Sequence, residues 1–191
     1  MYCVKSQQTI EDHIKKSRFI GMIFPCRDEQ TVVRHLKHLH EEYPDATHIV
    51  YAYRLKTPQG FVYRFHDAGE PSGTAGKPIF QHLEGKNLID VLLVVIRYFG
   101  GIKLGAGGLT RAYGNAAKRV IDEAEVEPFI EMATVKLSVT YSQLQPLEYL
   151  LKKLYGHIVD QQFAERINLV LELPLEQVPT LQQSFPLLEK I

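Results

Sequence analysis

One apolar run constrains this chain more than any other feature: LIDVLLVVIRYF, residues 88–99. A strand with so little polar alternation has no solvent face. It belongs at the centre of a sheet with other elements covering both sides. The run passes straight into GGIKLGAGG and then into a helical pattern, so the stretch from Ile96 to Gly114 holds six glycines. Glycine costs backbone entropy wherever it is used. Such a concentration needs a reason: a phosphate, a tight crossing, or another macromolecule.

The rest of the first two-thirds supplies the cover. SRFIGMIFPC (17–26) reads as a strand ending at a proline. Asp28 is placed to cap a helix through Val32, Leu36, Leu39 and Tyr43, stopped by Pro44. HIVYAYRL (48–55) and FVYRF (61–65) flank KTPQG as a hairpin. A polar loop, HDAGEPSGTAG, leads to a short helix from Lys77 to Leu83. From Leu109 the apolar positions 109, 112, 113, 116, 117, 120, 121 and 124 describe a long amphipathic helix, with Arg111 and Lys118 on its other face.

Residues 125–128 break that pattern, which sets an expected division into domains 1–126 and 127–191. TVKLSVTY (134–141) alternates, with Val135, Leu137, Val139 and Tyr141 on one face. A helix through Leu144, Leu147, Leu151 and Leu154 ends at Gly156, and strands follow at 157–163 and 166–173. A last helix from Pro174 buries Val178, Leu181 and Phe185, and a final short strand falls at or beyond LLEKI. This order is that of a ferredoxin-like βαββαβ domain.

Formal charge is zero, which argues against wholesale coating of a nucleic acid backbone. The distribution is uneven. Residues 1–126 carry 17 Lys+Arg against 14 Asp+Glu, and residues 91–121 carry five bases and no acid. The glycine stretch therefore sits in the most one-signed part of the chain. No apolar run approaches the roughly 20 residues of a bilayer span, and no secretory signal precedes the first strand. Two cysteines, Cys3 and Cys26, without metal spacing fit reduced thiols in a cytoplasmic setting.

Four constellations carry possible chemistry. Arg97, Lys103, Gly105, Gly107, Gly108, Arg111 and Lys118 form a candidate nucleic-acid or anion surface, because amides at a helix N-terminus attract phosphate. The nucleotide signatures fail, however. GAGGLT has Thr110 where a dinucleotide fingerprint needs glycine, and PSGTAGKP has prolines where a P-loop needs glycine and hydroxyl. A tight strand-to-helix crossing explains the glycines equally well. The second constellation, Asp67 to Pro78, offers Asp67, Glu70, Ser72, Thr74 and Lys77, yet a Ser72–Lys77 nucleophile pair lacks any supporting elbow or spacing. Third, His35, His38 and His40 cluster on one helix, but nothing completes a metal site. Fourth, Tyr51, Tyr53, Tyr63 and Phe65 alternate with Arg54 and Arg64, and Tyr98, Phe99 and Tyr113 lie beside further arginines. They are either core rings or a stacking face for RNA.

DAGEPSGTAGKPI followed by VVIRYFGGIKLGAGGLTRAYG, with KKSRFI (15–20) and YPDATH (43–48) earlier, resembles the signature of the YigZ/IMPACT family. Ala68 departs from it, since many members carry a second acid there; a second carboxylate has no support at this position. The resemblance implies two α+β domains. The N-terminal one would be ribosomal-protein- or elongation-factor-like, with a left-handed βαβ crossover, and the C-terminal one ferredoxin-like. Eukaryotic IMPACT proteins are translational regulators with an extra N-terminal interaction domain that this sequence does not show. The family brings no catalytic residue set. The expectation is a non-enzymatic protein that binds RNA or a ribosome-associated partner and needs no cofactor, metal or membrane. The alternative is an enzyme that binds a phosphorylated small molecule at 100–108.

Overall fold

The structure is a computed structural model that describes residues 1–190. By its internal contacts the chain divides into Met1–Phe129 and a second unit from Ile130 onward. No helix among the described residues is long and apolar enough to cross a membrane.

The first unit is built on β1 (Tyr2–Val4), β2 (Gln8–Ile14), β3 (Ser17–Pro25), α1 (Glu29–Glu42), β4 (His48–Thr57), β5 (Gly60–His66), α2 (Gly76–Gly85), β6 (Val91–Tyr98), α3 (Ala106–Glu123) and β7 (Val126–Pro128). Five strands form one sheet in the order β2-β3-β6-β4-β5, with every ladder antiparallel. The apolar run lands on β6 at its centre. Val91, Leu93 and Val95 face a core completed by α2 and α3. Leu92, Val94 and Ile96 face the opposite core, completed by Val32 and Leu39 of α1. Every residue from Val91 to Ile96 is fully buried, which explains the missing alternation. Because β3 and β4 each run antiparallel to β6, they run parallel to each other with β6 between, joined by α1. Asp28 caps α1 by accepting from the Thr31 amide at 2.7 Å.

The N-terminal strands had no counterpart in the sequence reading. β2 alternates around Ile10, its one fully buried residue, and carries Glu11, Asp12 and His13 on an edge. β1 pairs with β7 in a separate two-stranded ribbon.

The second unit contains β8 (Met132–Val139), α4 (Tyr141–Lys153), β9 (His157–Phe163), β10 (Ile167–Pro174), a 3₁₀ turn (Leu175–Gln177), α5 (Val178–Ser184) and β11 (Leu187–Lys190). Its sheet runs β11-β8-β10-β9, the arrangement of a ferredoxin-like fold. The final strand is short, as expected, and Ile191 lies outside the described residues. Val135, Leu137 and Val139 meet Ile167, Leu169, Leu171 and Leu173 beneath Leu147, Leu151, Val178, Leu181 and Phe185. Tyr141 does not join that face. A capping box between Thr140 and Gln143 ends the strand first, so Tyr141 opens α4 and is exposed.

Candidate functional site

The two glycine-bearing motifs meet at one end of β6. The first of them folds around a single carboxylate. Asp67 follows β5 and accepts three backbone hydrogen bonds: Oδ2 from Gly73 at 2.8 Å, and Oδ1 from Ala75 at 3.1 Å and Gly76 at 2.8 Å. Burial alone would raise the Asp67 pKa, but these three amides outweigh it and hold the carboxyl below the ordinary range. Thr74 closes the turn by donating to the Pro71 carbonyl at 2.7 Å. Two of the amides that open α2, those of Ala75 and Gly76, are thereby occupied by the protein's own anion, and Pro78 has none to offer.

Beside this loop lies a buried polar cluster. Glu70 Oε1 accepts from Arg97 Nη1 at 2.5 Å and from the Tyr113 hydroxyl at 2.7 Å. Burial, then the bond to Glu70, pushes the Tyr113 hydroxyl well above the usual tyrosine range. Arg97 Nη2 reaches Ser17 Oγ at 3.4 Å, and the same oxygen accepts from the Gly100 amide at 3.2 Å. Tyr113 sets its ring edge-on to Phe19, centroids 5.4 Å apart. His48 Nδ1 donates to the Ala68 carbonyl at 2.8 Å, leaving Nε2 3.8 Å from Glu70. Five segments, contributing Ser17, His48, Glu70, Arg97 and Tyr113, are therefore tied at one point. Unpairing either member of such a buried ion pair costs about 3–5 kcal/mol. Arg97 Nε has no hydrogen-bond partner among the described residues.

This corrects two assignments. Arg97 was expected on an exposed cationic surface, but it is buried, its charge held by Glu70. Tyr113 was a candidate stacking ring, but it is fully buried. Their sequence signal was the pairing itself: an arginine at the end of a buried strand calls for an acid, and Glu70 in the companion motif supplies it.

The second motif is open. Any side chain at Gly100 would collide with the Lys16 carbonyl and the Ser17 amide, so the loop packs its bare backbone on the β2–β3 turn. Gly105 has φ +71 and is the N-cap of α3, with no side chain to cap the first-turn amides. Gly107 and Gly108 follow within that turn. Lys103 and Arg111 are exposed there, as are Lys15 and Lys16 on the abutting turn, and none of the four is paired to a carboxylate among the described residues. Lys118 differs: it donates to Asp122 at 2.7 Å, and Lys86 reaches the same carboxylate at 3.1 Å. Arg119 likewise pairs with Asp12 and Glu123. The cationic surface therefore contracts from the whole helix to its first turn.

The remaining candidates are dispersed. Ser72 and Lys77 are exposed on the rim of the first motif. His35 packs against Phe24 at 4.5 Å, with burial lowering its pKa, while His38 faces Glu42 at 3.6 Å. Among the described residues no three His, Cys, Asp or Glu side chains gather into a metal-binding group. Tyr53 is buried and donates to Glu29, whereas Tyr63, Phe65 and Phe99 are exposed.

Comparison with known proteins gives consistent matches along the chain. A family model described as the Impact N-terminal domain matches residues 15–121, and one described as a domain of unknown function matches residues 137–185. An IMPACT family member from Haemophilus influenzae is 38% identical over 87% of this chain and 82% of its own length. The Escherichia coli IMPACT family member YigZ is 33% identical over 89% of this chain and 84% of that protein. A solved structure described as a hypothetical protein superposes with a TM-score of 0.72 at 30% identity, covering 97% of this chain and 95% of the other.

Proposed function

Since this chain belongs to the IMPACT family, we propose that it is a non-enzymatic binding protein of the translation apparatus, which grips phosphate groups of RNA at the first turn of α3. The observation that carries this reading is the uncapped helix start at Gly105, with exposed Lys103 just before it, Arg111 reaching back toward Gly107, and exposed Lys15 and Lys16 on the turn that abuts Gly100, all without carboxylate partners among the described residues. Unpaired amides and the positive end of the helix dipole favour an anion, and the four cations multiply that preference. In contrast, Asp67, Glu70 and Thr74 already have structural partners, so their loop acts as the scaffold behind the contact. A role in regulating translation follows from the family premise, with a ribosome-associated protein as the other partner class.

Binding of ribosomal RNA fragments and of whole ribosomes across a salt series tests the proposal. Lys103→Glu and Arg111→Glu together should weaken binding and flatten the dependence of log K on log salt by roughly 0.7–0.9 for each phosphate that is no longer neutralised. Lys118→Glu should do far less, because Asp122 already compensates that charge. Unchanged binding by the double variant would overturn the reading.

A second reading places a phosphorylated small molecule on the same uncapped turn. Gly107 is the probe for it, since a Cβ there meets only the tip of Arg111 at 3.8 Å. Gly107→Val should therefore leave the fold intact while obstructing approach. Saturable thermal stabilisation by inorganic phosphate or a nucleotide, abolished by this change and unaccompanied by RNA binding, would favour the second reading.

A further inference from the structure

β5 is one of the two edge strands of the five-stranded sheet, and all seven of its residues are exposed. Edge strands in natural proteins are normally blunted by charge, proline or cover, yet this one presents Phe61, Val62, Tyr63 and Phe65 to solvent. Phe61, Tyr63 and Phe65 pair with Lys56, Arg54 and Ala52 across the ladder, and so lie on the face that α2 covers. Each ring is supported. Phe80 of α2 packs against Tyr63 at 4.8 Å and against Phe65 at 5.6 Å. The Arg54 guanidinium lies 4.4 Å from the Phe61 centroid. Three aromatic rings are thus held in place from one side and left open on the other. The same face carries Arg54 and Lys56, the cross-strand partners of Tyr63 and Phe61, while Arg64 projects from the opposite face.

We propose that Phe61, Tyr63 and Phe65 form a stacking platform for unpaired bases of single-stranded RNA. Flat rings accept any base face, while neighbouring cations meet the phosphates. Alternate residues on a strand stand about 6.8 Å apart, roughly twice the 3.4 Å between stacked bases. A duplex cannot spread its bases to that spacing, so the platform selects an extended single strand. Fixed rings also lose little rotamer freedom on binding. The proposal deepens the RNA reading above and rests on it for the class of ligand. It occupies different residues, so the two can fail separately.

The experiment uses the full chain and a fluorescein-labelled oligouridylate, with a duplex of equal length as the comparison. Tyr63→Ala and Phe65→Ala should each weaken oligouridylate binding roughly tenfold and leave duplex binding unchanged. Tyr63→Leu should lose as much as Tyr63→Ala, since an aliphatic side chain keeps the apolar area but no π-face. Tyr63→Phe should bind as the parent does. The chain has no tryptophan, so Tyr63→Trp introduces a single reporter whose emission should be quenched by the oligonucleotide. Full binding by Tyr63→Leu, or unquenched emission from the Tyr63→Trp protein with oligonucleotide bound, overturns the platform. If Arg111→Glu weakens RNA binding while Tyr63→Ala and Tyr63→Leu do not, the platform fails and the α3 reading stands. If the parent chain binds no RNA, both fail. A dimer that Tyr63→Ala dissolves, without any change in RNA binding, would reassign this edge to pairing with a second copy.

Discussion

The loops at 67–75 and 100–108 are alike on paper and opposite in physics. Both are rich in glycine, both run into a helix, and both carry the family signature. The first is saturated, because Asp67 fills the amides before α2 and Glu70 is locked to Arg97 and Tyr113. The second ends at a glycine cap with no side chain to close it, and its cations have no carboxylate partners among the described residues. A saturated loop stabilises the fold, whereas an open one keeps its binding capacity for something else. Turn composition alone does not separate these cases; the presence of an internal anion does.

The largest effect that could break this contrast lies in the saturated loop. Glu70→Leu or Arg97→Leu alone should cost about 3–5 kcal/mol in denaturant unfolding, because each leaves a buried charge or donor stranded. The Glu70→Leu/Arg97→Leu double variant should recover much of that loss; a fully additive double would deny the pairing its role. Asp67→Ala should cost about 2 kcal/mol through the lost cap. Its sign with pH also follows. The folded carboxyl is held below its ordinary value, so its contribution is complete above the unfolded pKa and disappears as pH falls through the folded one. Asp67→Asn should flatten that part of the acid limb. In the open loop, Lys103→Glu and Arg111→Glu should move stability by less than about 0.5 kcal/mol while altering the salt dependence of RNA binding. A large loss of stability there would erase the distinction between the loops. A change of the opposite sign belongs to Ala68, whose φ of +51 is strained for a side chain with a Cβ. Ala68→Gly should raise stability by up to about 1 kcal/mol, read as a small increase in melting temperature.

Much of the fold was legible because its signals were local. The β6 run, the Asp28 cap, the KTPQG hairpin and the alternation of residues 134–139 each state a structure within a few residues. β2 was not legible, since an edge strand with Glu11 and His13 exposed, and with Asp12 on its inner face held by the distant Arg119, resembles a polar tail. The candidate site was half legible. Its two motifs stood out, but the fate of each charge depended on partners far away in sequence. Arg97 was read as exposed because nothing local shows Glu70 beside it. Lys118 is a different lesson. Its partner Asp122 stands at i+4, a spacing that sequence does reveal, but the acid-free window closed one residue before it.

The Ser17–His48–Glu70–Arg97–Tyr113 cluster also bears on how the first unit folds. Its parts are scattered from the second hairpin strand to the middle of the last helix of the first unit. Contacts between residues so distant in sequence carry a large loop-closure cost and slow the folding of the unit as a whole. A chain cut short before Tyr113 would hold Arg97 on its central strand without the hydroxyl that shares its carboxylate. The interior of the first unit therefore depends on α3, the same helix whose opening turn faces outward, so displacing that helix would strip the cluster of Tyr113 and disturb the outward turn together.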